Sequence, residues 1–177
     1  MNNFHTINTQ NSFFCTKKHV FNALSPYVTN SIFESSHFFQ KMELFYKIKK
    51  CKEIGKLPIS MGIDTWAVDY VLLDENDKVL GNTYGYRDHR MEGMDDEVYK
   101  IIPEKELYAR TGIQKAMYNT IYQLMALKTQ KPEELEAADA MLMIPDFFHY
   151  KLSGKKVQEY TEATTAQLVN PETKDWD

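Results

Sequence analysis

The segment "GIDTWAVDY", Gly62 to Tyr70, sets Asp64, Trp66 and Asp69 inside an otherwise apolar run. The residues "LPISMGIDTW" read as a buried strand, because a short apolar run between turn residues is typical of one. A strand that ends in Asp64, Thr65 and Trp66 brings polar groups to the carboxyl edge of a sheet, where α/β folds bind their ligands. The alternative is that Asp64 only caps a turn and Trp66 belongs to the core.

Two further strands are predicted after this segment, and a helix is predicted before it. The stretches "VDYVLLD" and "KVLGNTYGY" have strand composition and are joined by the polar turn "DENDK", which predicts a hairpin. Upstream, Leu44, Ile48 and Cys51 recur at helical spacing within residues 40–54, and Gly55 is placed to end that helix.

The rest of the chain predicts several helices and one more strand. Helices are expected at "DDEVYKII", "PEKELYART", "NTIYQLMALK" and "PEELEAA". The second of these begins at Pro103 and ends before Gly112. Met141–Ile144 reads as a short buried strand that Pro145 ends, followed by a helix that Gly154 closes. This order of helices and strands indicates an α/β layer architecture.

The length and composition of the chain indicate one globular domain, or part of a larger one. The chain has 177 residues with 43% hydrophobic and 26% charged residues, which suffices to bury a core. A net charge of −4 without a basic stripe argues against nucleic-acid binding. Cys15 and Cys51 have no metal-ligand spacing, and no apolar run is long enough to cross a membrane. We therefore expect a cytoplasmic protein without a metal site, a disulfide or a secretion signal.

The first 40 residues differ in composition from the rest. Met1 to Phe39 contain neither Gly nor Asp, and their apolar residues follow no helical or strand period. We expect residues 1–40 to be an unrelated or poorly ordered segment. A frame shift near residue 40 would explain the change.

The segment "YGYRDHR", Tyr84 to Arg90, concentrates two guanidinium groups, a carboxylate and an imidazole. A charged run of this kind is usually a solvated face. Its flanking tyrosines indicate instead the wall of a cleft, where aromatic rings pack on the C–H face of a sugar. Arg87, Asp88 and Arg90 would then bind the hydroxyl groups of the sugar.

Several segments together resemble one known family. They are "GIDTWAVDYVLLDENDKVLGNTYGYRDHR", "RTGIQ", "NTIYQLMAL", "LMIPDFFHYKLSG" and "EYTEATTAQLVNPETKDWD". This sequence is similar to the rhamnulokinases, carbohydrate kinases of the FGGY family, from about Glu43 to Asp177. The resemblance implies an α/β, actin-like and ribonuclease H-like fold, of which residues 41–177 would be an incomplete N-terminal sugar-binding domain. It also implies that the γ-phosphoryl group of ATP, with Mg²⁺, is transferred to L-rhamnulose.

The resemblance also assigns a sugar-binding site. The residues that match the family's pocket and its "YRD-R" wall are Trp66, Ala67, Asp69, Tyr86, Arg87, Asp88 and Arg90. Ala67 stands where the family has Gly beside the sugar, so that its methyl group would crowd the ligand. Glu162 replaces an Asn of a polar network, and Ala166 replaces a hydroxyl residue.

The parts that carry out phosphoryl transfer are not recognisable in this chain. Residues 1–60 contain no match to the family's phosphate-binding pattern Asp-x-Gly-x-x-x-x-Arg. The family's general base and nucleotide site would lie beyond residue 177, so no residue is assigned a catalytic role. We expect the chain to be inactive alone, unless a second gene product supplies the missing segments. The alternative is a non-enzymatic remnant that binds a sugar or a partner.

Overall fold

The computed structural model describes residues 49–60, 62–63 and 65–177. The predictions for residues 1–48, Met61 and Asp64 lie outside these described residues. The chain divides into two compact units, with a boundary between Asp64 and Thr65.

Residues 49–53 are helical and form the described part of the predicted helix over residues 40–54. The Gly55 N–H donates to the Lys52 carbonyl at 3.1 Å, and the Lys56 N–H donates to the Cys51 carbonyl at 2.9 Å. With Gly55 at φ +68°, these two bonds form a Schellman cap. The prediction that Gly55 ends this helix is therefore confirmed.

The strand predicted over "LPISMGIDTW" does not form in its described residues. Leu57 and Ile59 are exposed, and the described part of this segment has no strand conformation. An apolar run becomes a strand only when a neighbouring chain accepts and donates its backbone hydrogen bonds. No such ladder involves residues 57–60, 62–63 or 65–66 in the part of the chain that the structure describes. The prediction was wrong for these positions.

The core of the unit from Thr65 onward is a pair of antiparallel strands. Strand β1, Tyr70–Leu73, pairs with β2, Ala140–Met143, in the register Tyr70↔Met143 to Leu73↔Ala140. All eight residues are buried, which explains why both strands read as continuous apolar runs. Two apolar clusters cover the two faces of this pair. On one face, Phe147 packs against Val71, Leu73, Ala140 and Leu142. On the other face, Leu127 packs against Tyr70, Leu72, Met141 and Met143.

The predicted hairpin is present, but its second arm is short. Asp74 Oδ1 accepts hydrogen bonds from the backbone N–H groups of Asn76 and Lys78, both at 2.9 Å, and so closes the predicted turn. Val79 forms an isolated bridge with Leu73, where a strand over "KVLGNTYGY" was expected. Gly81 at φ +56° directs the chain away from the ladder, which limits the third strand to this bridge.

Six helices of the described region have these bounds: α1 Met94–Tyr99, α2 Glu104–Thr111, α3 Thr120–Gln130, α4 Pro132–Glu136, α5 Ile144–Ser153 and α6 Tyr160–Thr164. A 3-10 turn covers His89–Met91, and β3, Val169–Asn170, pairs with β4, Asp175–Trp176. The predicted helices are confirmed, with Gly112 and Gly154 at their ends in left-handed conformation. Ile144 begins α5 rather than ending β2. None of the helices described here is long and apolar enough to cross a membrane.

We expect Asp74→Ala to lower the free energy of unfolding by about 1–2 kcal/mol, because two backbone donors of the turn lose their acceptor. Glu75→Ala is the matched control, since Glu75 is an exposed residue of the same turn. Urea denaturation of both variants measures the difference. Equal stabilities would contradict a role for the Asp74 carboxylate in the turn.

Candidate functional site

The carboxylate of Asp69 lies at the centre of the predicted site. Asp69 is 2% exposed and immediately precedes β1. Its Oδ2 accepts the indole Nε1–H of Trp66 at 2.5 Å, and its Oδ1 accepts the Nε2–H of Gln123 at 3.2 Å. The backbone N–H of Tyr86 also donates to this carboxylate. Asp69 therefore joins Trp66, α3 and the segment Tyr84–Arg90.

The site lies beside the carboxyl end of β2. The Ile144 N–H, which follows β2, donates to the Asp69 carbonyl at 3.1 Å. Trp66 was expected at the end of a strand that runs through residues 57–66, and Asp69 within the next strand, "VDYVLLD". They instead precede β1, and the antiparallel pairing brings them to the end of the neighbouring strand.

Burial raises the pKa of Asp69 to about 6. The hydrogen bonds from Trp66, Gln123 and the Tyr86 backbone oppose this shift, and so does the positive charge of Arg90. Asp69 is therefore mainly ionised at neutral pH and takes up a proton near pH 6. Its ionised form depends on the donors that surround it.

Arg90 is held between two tyrosines. Its guanidinium carbon lies 3.8 Å from the centre of the Tyr84 ring, within the range of cation–π attraction. Its side chain also donates to the hydroxyl of Tyr70, whose pKa burial raises to about 12. A cavity of about 10 Å³ lies beside these three side chains and Glu134, which is space for one water molecule.

Arg87 and Asp88 lie at the outer side of this segment. Arg87 is exposed, with its guanidinium carbon 5.2 Å from the centre of the Tyr86 ring. Tyr86 in turn packs edge to face on Tyr118, with 6.0 Å between the ring centres. Asp88 Oδ1 accepts the backbone N–H of Arg90 at 2.9 Å and so caps the 3-10 turn. The segment is thus a packed wall whose outer side carries the exposed guanidinium group of Arg87.

The structure brings most of the predicted site residues together through Asp69. Trp66, Tyr86 and Arg90 interact with its carboxylate, whereas Arg87 and Asp88 reach it only through Tyr86 and Arg90. Trp66 and Ala67 are half-buried. Trp66 is therefore neither fully packed in a core nor fully exposed.

Glu162 and Ala166, the two positions near the C-terminus that differ from the family pattern, lie in α6 and just after it. Glu162 is half-buried within α6, and its carbonyl accepts the hydroxyl of Thr165 at 2.7 Å. Ala166 is fully buried, and its carbonyl accepts the Ile121 N–H at 3.1 Å. The methyl group of Ala166 thus packs inside the unit, where a hydroxyl would need a partner.

Three residues of the site were missed by the sequence reasoning. They are Val68, whose φ is +73°, and the fully buried Thr120 and Gln123 of α3, whose side chains bond to its carbonyl. The available signal was the polar pair Thr120 and Gln123 at spacing i, i+3 in "NTIYQLMALK". Two polar side chains on a buried helix face require partners, and these partners lie over 50 residues away.

No cluster of three or more His, Cys, Asp or Glu side chains suited to a metal ion occurs among the described residues. The described residues thus form no ready-made set of three such ligands for Mg²⁺, and no catalytic step through the metal is derived from them.

The family described as "FGGY family of carbohydrate kinases, N-terminal domain" matches residues 23–177. A rhamnulokinase of Halalkalibacterium halodurans is 57% identical over 130 residues, which cover 73% of this chain and 28% of that protein. A rhamnulokinase of Oceanobacillus iheyensis is 54% identical over 135 residues, which cover 76% of this chain and 29% of that protein. The chain thus spans less than a third of the length of the curated relatives it matches.

Solved sugar kinase structures share the fold. A Plasmodium falciparum glycerol kinase with ADP superposes with a TM-score of 0.62 at 19% identity, covering 91% of this chain and 33% of that one. A ligand-bound xylulose kinase of Lactobacillus acidophilus superposes with a TM-score of 0.59 at 23% identity. The match covers 67% of this chain and 25% of that one. These likenesses and the family match confirm the predicted fold class, the α/β, actin-like and ribonuclease H-like fold of these kinases.

Proposed function

The chain belongs to the FGGY family of carbohydrate kinases, and from that membership we propose that it is the sugar-facing part of a rhamnulokinase. Identities of 57% and 54% to rhamnulokinases support the choice of this kinase within the family. On this proposal the sugar is L-rhamnulose, and the whole kinase transfers the γ-phosphoryl group of ATP to it in the cytoplasm. The partners proposed are thus a small sugar and the remaining kinase segments.

The observation that carries the proposal is the arrangement around Asp69. Its carboxylate fixes the indole N–H of Trp66, so the half-buried ring has a set orientation. Aromatic faces pack on the C–H groups of sugars, and fixed polar side chains bind their hydroxyls. Tyr86, Arg87 and Arg90 supply such groups on the adjacent wall. Ala67 adds a methyl group beside Trp66, which weakens sugar binding on this proposal.

ATP and Mg²⁺ are cosubstrate and cofactor of the proposed whole kinase. Phosphoryl transfer depends on holding the phosphates and neutralising their charge. Residues 1–60 contain no recognisable phosphate-binding pattern, and the chain matches 28% of a related rhamnulokinase. We therefore propose that the chain alone binds the sugar without phosphorylating it. This is also the non-enzymatic alternative considered from the sequence.

Sugar binding is tested by tryptophan fluorescence. Trp66 and Trp176 are the two tryptophans of the chain, so Trp176→Phe leaves Trp66 as the reporter. We expect a saturable change in its emission when L-rhamnulose is added, because a sugar on the ring displaces water. Trp66→Phe is the control, and its remaining Trp176 emission should not respond. Unchanged Trp66 emission together with no heat of binding would refute the proposed function.

A further inference from the structure

The backbone between Trp66 and Asp69 has an unfavourable conformation. Val68 has a φ of +73°, in the left-handed region that a β-branched residue rarely adopts. Such a conformation persists only when the surrounding structure imposes it. Val68 is buried, so contacts within the unit must hold it.

Two side chains of α3 bind the carbonyl of Val68. The Thr120 hydroxyl donates to it at 2.7 Å, and the Gln123 Nε2–H donates to it at 3.0 Å. Both side chains are fully buried and lie one turn apart. A single carbonyl oxygen can accept two hydrogen bonds, so both of its lone pairs are used by α3.

Gln123 connects this carbonyl to the carboxylate of the site. Its two N–H groups are shared among the Val68 carbonyl, Asp69 Oδ1 at 3.2 Å and the Tyr118 carbonyl at 3.1 Å. The first turn of α3 thus binds both the carbonyl of Val68 and the side chain of Asp69. Asp69 in turn holds the indole of Trp66.

We propose that Thr120 and Gln123 are positioning residues of the sugar site, which hold Val68 in its left-handed conformation and thereby direct Trp66 toward Asp69. The part of this inference that concerns sugar affinity rests on the proposed function. The left-handed residue bends the chain between Trp66 and β1, which allows the indole N–H to reach a carboxylate three residues later. When the hydrogen bonds to its carbonyl are removed, Val68 relaxes toward negative φ and Trp66 leaves Asp69.

A purely structural role for the two side chains predicts something different. Loss of a buried hydrogen bond would then lower stability without changing the surroundings of Trp66 in the folded protein. Thr111 provides the comparison, because it is also buried and its hydroxyl donates to the Leu107 carbonyl at 2.9 Å. Thr120→Val and Thr111→Val remove the same kind of bond, but only the first bond holds Val68.

The test measures Trp66 emission between pH 5 and pH 8 in the Trp176→Phe protein, under conditions where every variant is folded. The groups facing Asp69 are Trp66, Gln123, the Tyr86 N–H, Arg90 and Tyr70. In the parent, emission should follow the protonation of Asp69 near pH 6. We expect Gln123→Met to move this midpoint to higher pH, because a donor to the ionised carboxylate is lost.

Thr120→Val should reduce the pH-dependent change in emission, because the indole no longer bonds to Asp69. The pH dependence of Trp66 emission in Thr111→Val and in Thr120→Ser should match that of the parent. Val68→Gly in combination with Thr120→Val should restore the parent emission, since glycine adopts positive φ without strain. We also expect Thr120→Val to weaken L-rhamnulose binding about tenfold, the effect of about one buried hydrogen bond.

Equal emission profiles for Thr120→Val and Thr111→Val would overturn the inference, and so would failure of Val68→Gly to restore the profile. If Thr120→Val does not fold, the size of the pH-dependent emission change in Gln123→Met decides the question, because this variant also loses a hydrogen bond to the Val68 carbonyl. A change as large as that of the parent then counts against the inference. If the parent protein does not bind L-rhamnulose, the proposed function fails, while the emission profiles still decide whether α3 positions Trp66.

Discussion

No ADP above the no-enzyme rate is expected when the purified 177-residue chain is incubated with L-rhamnulose, ATP and Mg²⁺. The chain spans 28% of the length of a related rhamnulokinase, and its first 60 residues have no phosphate-binding pattern. Loss of one donor to developing charge costs about 10²–10³ in rate, and loss of a general base costs about 10²–10⁴. Loss of the groups that position ATP against the sugar lowers the rate further.

A coupled assay of ADP release measures this activity, with a full-length rhamnulokinase as the positive control. The chain should stay at the background rate even when L-rhamnulose saturates the Trp66 signal, which would separate sugar binding from phosphoryl transfer. ADP release that Asp88→Ala abolishes would contradict the prediction. It would show that residues of this chain are sufficient for the chemistry.

The chain should become less stable as the pH rises from about 4 to 7, mainly because of Asp146. Asp146 lies in the first turn of α5 and is 1% exposed. Burial raises its pKa to about 7, and the negative charge of Glu159 adds to this, although the Glu159 N–H opposes it by donating to both carboxylate oxygens at 3.2 Å. The ordinary pKa of an aspartate is 3.8, so the folded chain holds this proton to higher pH than the unfolded chain does.

The sign follows from this difference in proton binding. Between pH 3.8 and 7 the folded state binds more protons at Asp146 than the unfolded state, so the free energy of unfolding falls as the pH rises. Each unit of pKa difference corresponds to about 1.4 kcal/mol. The loss between pH 5 and pH 8 is therefore on the order of 3 kcal/mol from Asp146. Asp69, with its pKa raised to about 6, acts in the same direction.

Asp146→Asn should remove the larger part of this pH dependence, because the amide is neutral and its oxygen still accepts the Glu159 N–H. As the pH rises from 5 to 8, the free energy of unfolding of the variant should increase by about 3 kcal/mol relative to that of the parent. Asp95→Asn is the matched control, since a hydrogen bond from Lys115 lowers the pKa of Asp95 and keeps it ionised throughout this range. Urea denaturation at several pH values measures the curves. Parallel curves for Asp146→Asn and the parent would show that Asp146 does not bind this proton.

Local features of this protein could be predicted from the sequence alone. The apolar runs of β1 and β2, the turn at Asp74, and the helix ends at Gly112 and Gly154 all depend on neighbouring residues in the chain. Continuous burial, a short side-chain acceptor and a left-handed glycine each leave a signal within a few positions. Family motifs added the fold class and the candidate residues around Trp66 and Tyr86.

The tertiary structure decided which of these signals led to strands and how the site is held. The apolar run before Trp66 lacks a ladder in the described residues, and the run after Asp74 leaves its ladder at Gly81. The left-handed Val68 and its bonds to Thr120 and Gln123 join positions more than 50 residues apart. Hydrogen-bond pairing and burial depend on which segments meet in space, and a local sequence pattern does not contain that information.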